Sequence, residues 1–283
     1  MFSRAHLKLL KWCILGQIKK ALLNLKPYAA YSQHKKSTIV VSLTSYGRRV
    51  NKTVYFTILS ILNQSLPPKK IILWLDSDNW NNDNIPSKLK KLVEYNLLEI
   101  NYTEDIRSFK KLIPTLKLYP DDVIVTVDDD VIYSKFLLEK LYGNYLSNPN
   151  SIYCTRASVV EFINGKPKPY KTWESAKSNK ISYNSYLFPV GIGGVLYPPH
   201  ALAKETLDKK KFMELCPEAD DIWFWRMAKL NGFSHTYVSL YPNIYPFDAI
   251  YQAFHRGSAL THSNVGNNKN DIQLERVLKA YPL

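Results

Sequence analysis

Cysteine is scarce in this chain. Cys13, Cys154 and Cys216 are an odd number, far apart, with none of the paired spacings of a zinc site or a disulfide framework. The expected compartment is therefore a reducing cytosol. Apolar runs are short too. Within the first thirty residues the longest charge-free run is Trp12 to Ile18, well below the ~20 apolar residues that cross a bilayer. Lysines interrupt any signal-peptide core, and no small-residue cleavage site follows clearly. Internal repeats and low-complexity tracts are missing.

Acid is the other deficit. Residues 1–36 contain none, against Arg4, Lys8, Lys11, Lys19, Lys20, Lys26, Lys35 and Lys36, so +8 of the formal +14 sits there and only +6 is spread over the rest. The body is thus mildly basic and has no run of stacked aromatics and arginines, and nucleic acid is not an expected partner. Residues 1–36 read as a basic amphipathic helix, with Leu7, Leu10, Ile14, Ile18, Ala21, Leu22 and Leu25 at three- and four-residue steps. Such a helix can lie in the headgroup layer of an anionic membrane through residues 1–30, on the inner face of the cell membrane, or pack on the body.

What is present in quantity is apolar and aromatic: 46% and 13% of 283 residues, enough for a substantial core. From Thr38 short apolar runs alternate with helical patterns, which predicts βαβ units, an α/β class and a mostly parallel sheet flanked by helices. Strands are expected at Thr38 to Leu43, Lys70 to Leu75, Leu98 to Tyr102 and Asp122 to Val127. Helices are expected on Val50 to Leu62, after Pro86, and from Arg107 to Leu118 with an interruption at Pro114. Ser134 is placed to cap a helix to about Ser147. Asn164-Gly165 signals a hairpin, Ala219 to Leu230 a helix, and Asp271 a cap for a last helix to Ala280. Residues 37–150 read as a nucleotide-binding half and 151–283 as an acceptor-binding half of one continuous domain.

Ligands of open α/β sheets bind beyond the carboxyl ends of the strands. Three strands here end in polar residues: Thr44, Ser45, Arg48 and Arg49 after the first, Asp76 and Asp78 after the second, and Asp128, Asp129 and Asp130 after the fourth. Arg48 or Arg49 can pair with phosphate, and Asp76 can accept from a base or ribose. Lys110 and Lys111 can also face phosphate. Alternate residues of an extended segment point the same way, so Asp128 and Asp130 are expected to converge while Asp129, also counted with the donor set, faces elsewhere. Adjacent acids at the end of a buried strand repel one another, and a hard divalent cation, Mn2+ or Mg2+, relieves them. Gly191, Gly193 and Gly194 suit a loop where backbone approaches a sugar. Trp223 and Trp225, two residues apart on one helix, cannot share a face, which leaves one to stack on a sugar ring.

A strand ending in Asp-X-Asp after three β/α units, with a first strand running into a Thr-Ser loop, resembles the GT-A glycosyltransferases, specifically the family 2-like bacterial enzymes. The resembling stretches are VVSLTSYGRRV, IILWLDSD, DDVIVTVDDDVIYSKFLLEKLY, GIGG and EADDIWFW, spread over residues 38 to 232. The resemblance implies a GT-A fold, a nucleotide-sugar donor of the UDP class, and a glycan or lipid-linked glycan acceptor in bacterial surface polysaccharide synthesis. It implies inversion by a carboxylate base near the start of the late helix, Asp220 or Asp221, with Asp221 favoured. Family 2 enzymes usually show Glu-Asp there, whereas this chain has Glu218-Ala219-Asp220-Asp221. A histidine after that helix often completes the metal site, which makes His262, ahead of His255, the third ligand beside Asp128 and Asp130.

Rival readings exist. A haloacid-dehalogenase-like phosphatase shares the Asp-X-Asp after a strand, but its nucleophile strand opens the fold, and Ile132 stands where a hydroxyl residue is usual. A sugar nucleotidyltransferase would need a glycine-rich phosphate loop after Leu43. A non-catalytic, membrane-attached nucleotide-sugar-binding protein is the alternative outside enzymes.

Overall fold

The computed structural model describes residues 4–31, 37–176, 186–242, 244–246 and 268–283. A long helix, α1 (Arg4–Leu25), is followed by β1 (Val40–Thr44), a short α2 (Arg48–Lys52), α3 (Val54–Leu62), β2 (Lys70–Asp76), α4 (Ser87–Glu94) and β3 (Glu99–Thr103). A 3-10 turn over Arg107–Lys111 leads into α5 (Ile113–Leu118), β4 (Ile124–Thr126), β5 (Val131–Tyr133) and α6 (Leu137–Ser147). Next come β6 (Ser151–Cys154), β7 (Ala157–Val160), β8 (Phe162–Ile163), β9 (Lys166–Pro167), β10 (Glu174–Ser175), β11 (Tyr186–Pro189) and β12 (Val195–Tyr197). The last described elements are α7 (Lys209–Leu215), α8 (Asp220–Leu230), β13 (Ser234–Tyr237), β14 (Ile244–Pro246) and α9 (Lys269–Ala280).

Seven strands make one sheet in the order β13-β6-β12-β4-β1-β2-β3. Neighbours pair in parallel except β12, which runs antiparallel to both β4 and β6. Strands from both sides of residue 150 thus share one sheet, an α/β architecture with helices against it. The β1 run VVSLT is apolar without strict alternation because both of its faces are covered. Val41 and Leu43 join the core under α3 and α4, while Val40 packs with Ile72 and Trp74 on the opposite face. The second large core lies around α8, where Phe109, Phe212, Phe224, Trp223 and Trp225 are all buried.

Local expectations hold in most places. Pro86 precedes α4, whose buried residues are Leu89 and Leu92. Pro114 sits in the first turn of α5, so the expected long helix is split into a 3-10 turn and a short α-helix. At the Asn164-Gly165 hairpin both residues adopt positive φ, 52° and 75°, between antiparallel β8 and β9. Three details differ. Ser134 does not cap α6, which begins at Leu137 with Phe136 before it. Asp271 lies inside the first turn of α9 instead of capping it, because its carboxylate accepts the Tyr170 backbone N–H at 2.7 Å. Neither tryptophan of α8 is free for a sugar: Trp223 and Trp225 donate their indole N–H groups to the carbonyls of Thr206 and Leu187 from within the core.

α1 rests on α3, β5 and β14. Among the described residues no helix is long and apolar enough to cross a membrane.

Candidate active site

The β1 and β4 strands are neighbours, so the loops at their carboxyl ends meet. Ser45 donates to Asp129 Oδ2 at 2.5 Å, and Arg49, in the first turn of α2, reaches Asp129 Oδ1 at 2.8 Å and Asp130 Oδ2 at 3.0 Å. The guanidinium fork spans two adjacent carboxylates, a geometry that lysine lacks. Burial acts to lower the Arg49 pKa, but the attraction of Asp129 and Asp130 outweighs it and holds the guanidinium charged. Arg48 is exposed, and of the two arginines it is Arg49 that pairs with the acids.

The expectation that Asp128 and Asp130 converge while Asp129 turns away is not what the chain does. Strand β4 stops at Thr126, and Asp129 and Asp130 form a bend, so the two-residue alternation of an extended strand no longer applies. Asp129 and Asp130 share Arg49. Asp128 turns toward Lys111, 3.4 Å from its Oδ1.

Lys111 is the centre of a second cluster. Its ammonium is buried and stands 2.9 Å from Asp220 Oδ2, 3.4 Å from Asp128 and 3.8 Å from Asp221 Oδ1. Burial alone would discharge it, but Asp220, Asp128 and Asp221 together raise its pKa well above the usual lysine range. Its neighbour Lys110 is also buried but pairs with Asp105, outside this cluster. Asp220 and Asp221 begin α8, where the unsatisfied N–H groups and helix dipole favour anions. The Gly191 N–H donates to Asp221 Oδ2 at 3.0 Å.

Five carboxylates therefore face two cations. The deficit shows in the acids themselves: burial, opposed by Arg49 and reinforced by Asp129 and Asp128, pushes Asp130 up to about 7. Asp221 is also pushed up to about 7, by burial first and by Asp220, against the pull of Lys111. Burial likewise raises Asp129. Excess negative charge with hard oxygen donors suits a divalent cation. Among the described residues no group of three or more ligating side chains forms a ready-made cage. His262 and His255 lie outside the described residues.

The remaining expected residues are placed as follows. Thr44 donates to the Trp74 carbonyl at 2.9 Å, a bond within the sheet. Asp76 is buried, and its Oδ1 accepts from the Asn79 N–H at 3.0 Å and side-chain amide at 2.6 Å, which closes its own turn. Gly193 abuts Arg156 and Gly194, at φ 84°, abuts Leu137, so both shape the loop from behind. Gly191 is the one that meets the acids. A Cβ there would lie 2.8 Å from Lys111 Nζ and 2.9 Å from Asp221 Oδ1. Gly191→Ala is accordingly expected to displace both groups and lower turnover about 10- to 100-fold, since misplacement of ~1 Å costs that much. The melting temperature should stay within a few degrees; wild-type turnover would remove Gly191 from the site.

Tyr133 carries no sequence signal and is the residue that pattern reading missed. Its buried hydroxyl accepts the Asp128 backbone N–H at 2.8 Å and donates to the Ile192 carbonyl at 3.1 Å. It ties the acid loop to the glycine loop.

No protein-family profile matches the chain, and no curated protein does. Among solved structures, residues 1–349 of S. aureus TarS in complex with UDP overlap it with a TM-score of 0.49 at 16% identity, covering 75% of this chain and 60% of that one. The same fragment in complex with UDP-GlcNAc gives 0.49 at 15% identity, over 75% and 58%. Francisella tularensis 2-C-methyl-D-erythritol 4-phosphate cytidylyltransferase gives 0.45 at 13%, over 76% and 97%. The chain thus spans about 60% of the length of the TarS fragment. Overlaps of this depth carry no argument about chemistry, which rests on the side chains themselves.

Proposed function

We propose that the chain is a metal-dependent GT-A glycosyltransferase that moves a sugar from a nucleotide diphosphate donor, of the UDP class, to a hydroxyl of a glycan or lipid-linked glycan, with inversion. The observation that carries this reading is the meeting, around buried Lys111, of an acid loop at the end of β4 and an acid pair at the start of α8. One loop supplies carboxylates for a cation and its diphosphate; the other supplies a base.

Asp128 and Asp130 face different cations in the unliganded chain, Lys111 and Arg49, and are the residues that would hold a divalent cation once a donor draws them together; when bound it would supply neutralising charge to the departing diphosphate. Arg49 fixes Asp130, and Ser45 together with Arg49 fixes Asp129, so the acid loop is held before a donor arrives. Lys111 adds positive charge beside the leaving group. Asp220 is committed to Lys111 at 2.9 Å, whereas Asp221 is farther from it, at 3.8 Å, and more open, which favours Asp221 as the base. Asp221 accepts the acceptor hydroxyl proton as that oxygen bonds to the anomeric carbon and the bond from that carbon to the diphosphate oxygen breaks.

The direct test is thermal stability with UDP, with and without Mn2+. A ligand bound only to the folded chain stabilises it by about 2.7 kcal/mol at a hundredfold excess over its Kd, which moves the melting temperature of a chain this size by several degrees. That shift is expected only with Mn2+ present. Equal shifts with and without it, or none, would overturn the donor and metal assignment.

A further inference from the structure

From Ile14 onward the orientation of α1 is the reverse of what a helix needs merely to cover the body. Such a helix buries its leucines and turns its lysines to water. Here Lys20 Nζ lies 4.4 Å from the Phe56 ring centre and Lys19 Nζ 4.6 Å from that of Tyr245. Lys26 reaches Asn63 Oδ1 at 3.0 Å and stands 4.4 Å over the ring of Tyr31. Gly16 and Leu23 face the protein. On the outer side Ile14, Ile18, Leu22 and Leu25 are 52%, 50%, 63% and 78% exposed. Their spacing of four, four and three residues makes one continuous stripe.

We propose that this outward stripe is a docking surface for an anionic lipid bilayer, in which α1 lies parallel to the membrane plane. Charge selects the occupant. The first 36 residues hold eight cations and no acid, so two copies meeting stripe to stripe would set +8 against +8. An anionic headgroup layer instead attracts the cations of this segment that the body does not hold, of which Lys11 is exposed among the described side chains. Length selects the mode, since no described helix is long and apolar enough to cross, whereas an apolar face backed by cations lies in the interface. The lysines that contact aromatic rings clamp the helix to α3 and β14, so the bilayer would hold the whole body and not a loose tail. This inference does not depend on the catalytic reading.

The test is co-sedimentation of the full chain with mixed phosphatidylcholine and phosphatidylglycerol vesicles and with pure phosphatidylcholine vesicles. Wild type is expected to bind the anionic vesicles and to bind the neutral ones far more weakly. Because Ile18 and Leu22 are half or more exposed, the double variant Ile18→Ser, Leu22→Ser should keep its melting temperature, yet lose about tenfold or more in vesicle affinity from the lost apolar burial. Binding of this variant at the wild-type level would overturn the proposal. So would a wild-type dimer that the same substitutions convert to monomer without any vesicle binding, because that result assigns the stripe to a second copy.

Discussion

Asp221→Asn is expected to lower kcat about 1000-fold while the UDP affinity measured by thermal shift stays within about twofold, because a general base contributes roughly that factor and touches only the acceptor side. Asparagine keeps the shape and can still accept the Gly191 N–H through its side-chain oxygen, so the loop is retained and the proton acceptor is lost. The pH profile gives an independent reading. A base must be ionised to act, and burial sets Asp221 to titrate near 7. At saturating Mn2+ and donor, where the cation holds Asp130 ionised, log kcat of the wild type should therefore climb with unit slope up to about pH 7 and level off above it. Asp221→Asn should lack that limb. Normal turnover in the variant, or an unchanged limb, moves the base to Asp220 or elsewhere.

Asp130→Ala is expected to abolish transfer and, with it, the Mn2+-dependent part of donor stabilisation. The variant should still fold. Asp130 is a partly buried carboxyl whose ionisation the surroundings disfavour, so its removal deletes an unfavourable charge, and Arg49 keeps Asp129. The expected melting temperature of the ligand-free variant at pH 7.5 is at or above that of wild type. Retention of a Mn2+-dependent UDP shift would take the cation away from Asp130, and with it the role of the acid loop.

Much of the architecture was readable because local and tertiary preferences agree. The runs TIVVSL and KIILWL are strands under any pairing, and the acids that follow β4 stand where ligands of α/β sheets bind. What escaped was phase. Arg48 and Arg49 are adjacent, as are Lys110 and Lys111, and composition cannot say which of each pair faces the acids. For the lysines the difficulty is physical: Arg107–Lys111 is a 3-10 turn forced by the Pro114 break, so an α-helical wheel misplaces its faces. The same holds for Asp128 to Asp130, where a bend replaces the extended strand that two-residue alternation requires. The antiparallel insertion of β12 between β4 and β6 has no local signature, and neither does the bridging hydroxyl of Tyr133.

That single phenol oxygen has a kinetic consequence. It couples the backbone N–H of Asp128 to the carbonyl of Ile192, next to Gly191, and on the proposed reading joins the donor end of the reaction to the acceptor end through two hydrogen bonds. A disturbance on either side is transmitted to the other. Substitutions at Asp128 and Gly191 should then combine non-additively in a double-mutant cycle, and their effects should not separate cleanly into donor KM and acceptor kcat.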